Sequence, residues 1–388
     1  MYESLIQPIE AIAATLIEGI VELFGDDGSK LRRPRENKGV KLPEDLFAHP
    51  EVQTEWWYYT GHCETESGKR FGFELVFFKR RTDLDRVGIV PLRILANPMY
   101  AAHFAISEIG KQHFKYEHIR SFDSLFDLPV SVSDERYDLR LGPWTVREDV
   151  GSHILHAEFK DGFVFDAVLD AAKPVVRHGD GGTGTGRKEA DAASSHFSFT
   201  RMHAAGMVAK NGLEEKFTGT AWMDKEFGTW DQKNWDWFSI QLDDETELMI
   251  YNFRGETDET EPFSSGTFVE KDGSQSHLDR GDFSLEPTKF WKSPKTHAVY
   301  PGGWKIVVPK LGIELDINPL IDNQELDTRT TTTIVYWEGC CEAKGTRKGQ
   351  TSRGRAYVEL VGYERSHETT SLSTFLFSDP LLRLVGLG

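Results

Sequence analysis

Carboxylates set among large aromatic rings are the feature of this chain best suited to chemistry. In Trp222-Met223-Asp224-Lys225-Glu226-Phe227-Gly228-Thr229-Trp230 and in Trp235-Asp236-Trp237-Phe238, acids and rings alternate. Glu55-Trp56-Trp57-Tyr58-Tyr59 and Phe71-Gly72-Phe73-Glu74-Leu75-Val76-Phe77-Phe78 share the style. A carboxyl group buried among rings has a raised pKa, because desolvation penalises its charged form. It then stays protonated near neutral pH and can donate to an alkene. Trp, Tyr and Phe faces stabilise the resulting cation, and water or an internal alkene traps it. Such a reaction needs no cofactor. Asp224, Glu226 and Asp236 are the first candidates for the acid, with Glu55 and Glu74 behind them. Trp57, Trp222, Trp235 and Trp237 are the candidate walls. The blander alternative makes Asp224 and Glu226 structural, as turn caps or partners for Lys225 and nearby arginines.

Other chemistries have little support. There is no Gly-x-Ser-x-Gly elbow. His62 and Cys63 are adjacent, so on a strand they face opposite ways. His196 and His203 are seven apart and would also diverge on a continuous strand. His-Glu-x-x-His and Cys-x-x-Cys are absent, so neither a catalytic metal nor any other cofactor is expected. Glycosidase chemistry would need a carboxylate separation that sequence cannot supply. Gly179, Gly181 and Gly184 satisfy a dinucleotide-binding spacing, but no strand-then-helix context surrounds them. The net charge of −17 and the lack of a basic patch argue against nucleic acid.

These residues need elements to position them, and the pattern from about residue 50 onward is β. Short alternating segments such as Ile154–Phe159, Trp235–Leu242, Glu247–Phe253 and Tyr357–Tyr363 are separated by Asp161-Gly162, Asn211-Gly212 and Asp272-Gly273. Such spacing suggests sandwiches or barrels. Residues 26–48 read as a polar linker. Before it, Leu5, Ile9, Ile12, Leu16, Ile20 and Leu23 recur at helical steps. That helix either packs on the body or lies on a membrane surface, although its acidic polar face disfavours anionic lipid. The C-terminal Phe375-Leu376-Phe377 and Leu381-Leu382 are also apolar, so the termini are where peripheral membrane contact is expected. Three cysteines, two of them adjacent, fit a reducing, cytoplasmic setting.

The motifs resemble one family. Glu55-Trp56-Trp57-Tyr58-Tyr59, Phe71-Gly72-Phe73-Glu74, Ala102-His103-Phe104-Ala105 and His178-Gly179-Asp180-Gly181-Gly182 look like the carotenoid 1,2-hydratase (hydroxyneurosporene synthase) family. So do Gly219-Thr220-Ala221-Trp222-Met223-Asp224-Lys225-Glu226-Phe227, Trp235-Asp236-Trp237-Phe238-Ser239, Tyr336-Trp337-Glu338-Gly339 and Tyr357-Val358-Glu359-Leu360-Val361-Gly362-Tyr363. The resemblance spans about residues 50–365. It implies an all-β protein of two lipocalin-like antiparallel barrels, which here would follow the N-terminal amphipathic helix read from the apolar spacing. The expected segments are 1–48 for helix and linker, 49–228 for the first barrel and 229–388 for the second. Members of the family are functionally mixed, but all suit long hydrophobic ligands.

Two departures redirect the site. The family's His and Trp after the Met-Asp step correspond here to Lys225 and Phe227. In the family's Tyr-x-Asp strand, Tyr251 keeps the tyrosine, but Phe253 stands where the proton-donating Asp would be. Another donor is therefore needed. Glu226 or Asp224 is expected to serve, with Tyr251 orienting water or relaying protons. Glu55, Trp57, Trp222, Phe227, Trp235, Trp237 and Phe253 are expected against the substrate. The reading is a cofactor-independent enzyme that protonates an isoprenoid, carotenoid or other polyene, with cyclisation or hydration following. The alternatives are a carrier of a hydrophobic ligand and a pericyclase-like template that works by shape.

Overall fold

The computed structural model describes residues 40–83, 86–87, 90–91, 97–122, 127–179, 194–229 and 234–365. The expected N-terminal helix, the apolar C-terminus and most of the glycine-rich stretch fall outside these. Among the described residues the fold is nearly all antiparallel strand, with a few short 3-10 turns.

Two large sheets carry the chain, with every neighbouring pair antiparallel. In the first, twelve-stranded sheet, Arg70–Arg80, Thr54–Thr65, Leu213–Gly228 and Ser194–Lys210 lie side by side in that order. In the second, ten-stranded sheet, the corresponding order is Glu247–Phe253, Trp235–Leu242, Gln350–Val361 and Val335–Arg347. Both sheets curl into barrel-like forms, one nearly closed and the other a half-barrel, as in a lipocalin-like double barrel. The predicted turn chemistry holds at Asn211-Gly212. Both residues have positive φ, 53° and 77°, and they join Lys210 to Leu213 as a two-residue hairpin.

Alternation sorts each strand's side chains between two cores. On Thr54–Thr65, Trp57, Tyr59 and Cys63 enter the first barrel, beside Phe73, Leu75 and Phe104. Each fully buried Phe or Leu there contributes about 1.5–3 kcal/mol. Phe238, Ile240, Leu248, Ile250, Trp304 and Val358 fill the second barrel. The opposite faces meet between the barrels, where Tyr58, Val76 and Trp222 pack on Trp237, Met249, Tyr251, Cys340 and Tyr357. Gly72 marks the closest approach. A Cβ there would lie 2.5 Å from the Tyr357 hydroxyl and 2.8 Å from Cys340. All three cysteines are free and buried. No helix among the described residues is long and apolar enough to cross a membrane.

Candidate active site between the barrels

Strand register builds the site in rows. Across three strands of the first sheet, Trp56 pairs with Glu226 and Glu226 with His196. One row further on, Tyr58 pairs with Asp224 and Asp224 with Ser198. Glu74, Val76 and Phe78 extend this wall, opposite Thr60, Tyr58 and Trp56. The facing wall is a row on the second sheet. Tyr251 pairs with Trp237, Trp237 with Glu359, and Glu359 with Glu338. Between the walls lies a cavity of about 190 Å³. Its rings include Trp56, Tyr58, Phe78, Trp235, Trp237, Tyr251 and Tyr336, its acids are Glu74, Asp224, Glu226 and Glu359, and Lys79 and Arg80 also line it.

Glu226 is 1% exposed and has one oxygen taken by the Ser194 hydroxyl. Its Oε2 lies 3.6 Å from His196 Nδ1 and makes no hydrogen bond among the described residues. Burial pushes this carboxyl up to about 7. Asp224 adds to the rise, while His196 and Ser194 pull the other way. Asp224 is more fully engaged. Its Oδ1 accepts from Trp222 Nε1 at 2.8 Å and from Ser198, and His196 Nε2 stands 3.2 Å away. Burial alone would strip the proton from His196, but Glu226 and Asp224 together raise its pKa. The pair is therefore a proton-holding unit at the edge of an apolar space.

A second group of acids lies alongside. Glu74 accepts from the Tyr336 hydroxyl at 2.8 Å, and that hydroxyl is 2.7 Å from His103 Nδ1. Glu338 accepts from Tyr58 at 2.6 Å, and Glu359 from Trp235 Nε1 at 2.9 Å. Glu338 and Glu359 are direct cross-strand partners, an arrangement that disfavours two charges. Burial pushes Glu74 up to about 8 and Glu359 to about 7, and it also raises Glu338 well above the usual carboxylate range, with Glu74 and Glu359 adding to the rise. This cluster holds protons at neutral pH.

Of the residues expected from sequence, Glu226, Asp224, Tyr251, Trp235 and Trp237 line the cavity. Trp222 stands just behind, bonded to Asp224 and edge-on to Trp237. Phe253 stacks on Tyr251 at 4.5 Å. Glu55, Trp57 and Phe227 lie on the other face of their strands, toward the first barrel. There Glu55 contacts Lys225, with His49 at 2.6 Å and Lys79 at 3.4 Å. Lys225 Nζ sits 3.8 Å from the Trp57 ring centroid, and His49 stacks on Phe227. Asp236 is a structural acid, bound by Asn252, Arg254 and Tyr363.

The expected divergence of His196 and His203 fails, because it assumed a continuous strand. The bulge between Phe199 and Met202 places His196 opposite Glu226 and His203 opposite Thr220, so both lie on one face, His196 buried and His203 exposed. The neighbour of His196 is instead His178, eighteen residues earlier. His178, His196 and Asp224 bring one ligand-type atom each within 4.8 Å of one another. That trio could hold a metal, but both His178 nitrogens are engaged, by Ser198 at 2.7 Å and Thr267 at 2.9 Å. Sequence reasoning also passed over Ser194, Glu338, Glu359, Tyr336 and His103 as site residues. Strand alternation around the Tyr336 and Tyr357 motifs was the signal that could have found them.

Comparison with known proteins agrees with this architecture. A protein described as AttH from Nitrosomonas europaea is 28% identical, with a TM-score of 0.75 over 86% of this chain and all of that one. Kievitone hydratase from Nectria haematococca matches with a TM-score of 0.65 at 14% identity, over 86% of this chain and 95% of that one. CghA with Sch210972 matches with a TM-score of 0.52 at 11% identity, over 88% of this chain and 98% of that one. At such identities the last two carry the fold alone. No curated protein matches the chain. The AttH-like family model matches residues 33–363, and the chain belongs to the AttH-like family.

Proposed function

We propose that this protein is a cofactor-independent enzyme that protonates a double bond of a hydrophobic isoprenoid or polyene, with hydration or cyclisation following. One observation carries the reading. Glu226 is a buried carboxyl, protonated up to about pH 7, with an unbonded oxygen at a ring-lined cavity. Its proton would form a new C–H bond at one alkene carbon. The Trp237, Trp235 and Tyr251 rings would stabilise the cation left on the other carbon. For hydration, water adds to that cation and gives up a proton to the Glu226 carboxylate, which restores the acid. For cyclisation, an internal alkene adds instead. The cavity of about 190 Å³ is smaller than the roughly 300–1,000 Å³ of sites that enclose drug-sized ligands. It suits the reacting end of a longer molecule.

The test begins with native mass spectrometry to identify a co-purified ligand, followed by turnover of that compound and its relatives. E226Q should abolish turnover and D224N should reduce it. Undiminished turnover in both, and in the double variant, would end the assignment. A carrier function is favoured by one observation, the phenylalanine at 253 where the hydratase resemblance expects an acid. Recovery of an unchanged ligand, with no product after long incubation, would support the carrier.

A further inference from the structure

We infer that the ligand end entering the cavity bears an oxygen acceptor, an alcohol, phenol or carbonyl, and is not a bare hydrocarbon. This rests on the proposed site but not on its chemistry. The Trp237 indole lines the cavity and is 2% exposed, yet among the described residues its Nε1 has no hydrogen-bond acceptor. An indole N–H can only donate. Among the described residues, Oε2 of Glu226 and Oε2 of Glu74, each carboxyl 1% exposed, likewise have no hydrogen-bond partner. All three side chains line one space. Buried polar groups are normally paired, and leaving them unpaired is costly. A hydrocarbon would seal every one of these groups against an apolar surface. If hydrocarbon were the intended occupant, a phenylalanine at 237 would provide the same ring without a stranded donor. The two acids point the same way. Burial keeps Glu226 and Glu74 protonated near neutrality, so with Trp237 they offer donors from both sheets. An oxygen lone pair is the complement to that set.

The cavity is close in size to an engineered apolar cavity of about 150 Å³ that holds benzene, so small matched probes reach it. Binding of 4-ethylphenol and acetophenone would be compared with ethylbenzene, and 3-methylbut-2-en-1-ol with 2-methylbut-2-ene, by calorimetry on the full chain. At least one oxygenated probe should bind about tenfold or more tightly than its hydrocarbon. W237F should erase most of that preference, read as the ratio of oxygenated to hydrocarbon affinity within the variant. If W237F misfolds, the Trp237 indole N–H resonance of the wild type gives a second readout. It should move downfield with the oxygenated probe and not with the hydrocarbon. Equal or tighter hydrocarbon binding overturns the inference, as does failure of every oxygenated probe to bind, or an unmoved indole resonance. The outcomes separate from those of the proposed reaction. A hydrocarbon preference with Glu226-dependent turnover would sink this inference alone. An oxygen preference with a fully active E226Q would sink the reaction alone.

Discussion

Lys225 and Glu226 are chain neighbours whose side chains serve different compartments. Lys225 turns into the first barrel, against Glu55 and over the Trp57 ring. Glu226 turns the other way, into the cavity shared with the second barrel. One strand thus carries a buried cation on one face and a protonated acid on the other, and each is served by its own surroundings. The two faces make separable predictions.

Turnover should depend on Glu226 in its protonated form. With its carboxyl raised to about 7 by burial, the donor is present below that pH and is lost as pH rises through it. The rate profile should therefore fall on its alkaline side with a midpoint near 7. E226Q should lower kcat by about 10²–10⁴ and remove that limb from any residual activity. An alkaline limb that persists unchanged in E226Q would assign it to another group.

The opposite face predicts a stability effect. Burial alone would raise the Glu55 carboxyl, but Lys225, His49 and Lys79 outweigh it and hold it far below its usual range. Burial lowers Lys225 to about 8, with Glu55 working against the fall. E55Q leaves two buried ammonium groups without their carboxylate. Breaking a buried pair in this way costs about 3–5 kcal/mol, to be read from urea denaturation. Binding of the small oxygenated probes, measured where E55Q is still folded, should persist, because of this cluster only Lys79 lines the cavity.

The cavity acids predict a pH dependence of stability with the opposite sign from ordinary paired carboxylates. Burial raises Glu74, Glu226 and Glu359 in the folded protein to about 8, 7 and 7, above the ordinary glutamate value of 4.5. Between pH 4.5 and those values the folded protein keeps protons that the unfolded chain has released. Stability therefore falls as pH rises through that window. The melting temperature should drop from pH 5.5 to pH 8, and E74Q should flatten the drop. A melting temperature that climbs over this range would contradict the protonated cluster.

Metal dependence is a further check. Because hydroxyls occupy both nitrogens of His178, dialysis against EDTA should leave turnover intact. Loss of activity restored by zinc would convert the trio of His178, His196 and Asp224 into a metal centre.

Much of the fold was legible because period-two alternation and turn residues are local signals. Asn211-Gly212 announced its hairpin, and the Trp-rich stretches announced long buried strands. Half of the site was legible for the same reason: acids and rings at 222, 224, 226, 235 and 237 fall on outward faces of their barrels. The rest depended on which face meets which. Glu55-Trp56-Trp57-Tyr58-Tyr59 reads as one motif, yet alternation divides it. Glu55, Trp57 and Tyr59 go to one core, while Trp56 and Tyr58 go to the cavity. Sequence supplies the division but not the choice of face. Glu359, Glu338 and Tyr336 come from strands more than a hundred residues away from Glu226. His196 becomes a neighbour of Glu226 only through cross-strand register.

Gly72 sets a spacing between the two sheets, because any side chain there would press on Tyr357 and Cys340. A larger residue at that position would have to spread the walls that carry Glu226 and Trp237, and so would reshape the chamber from outside its lining.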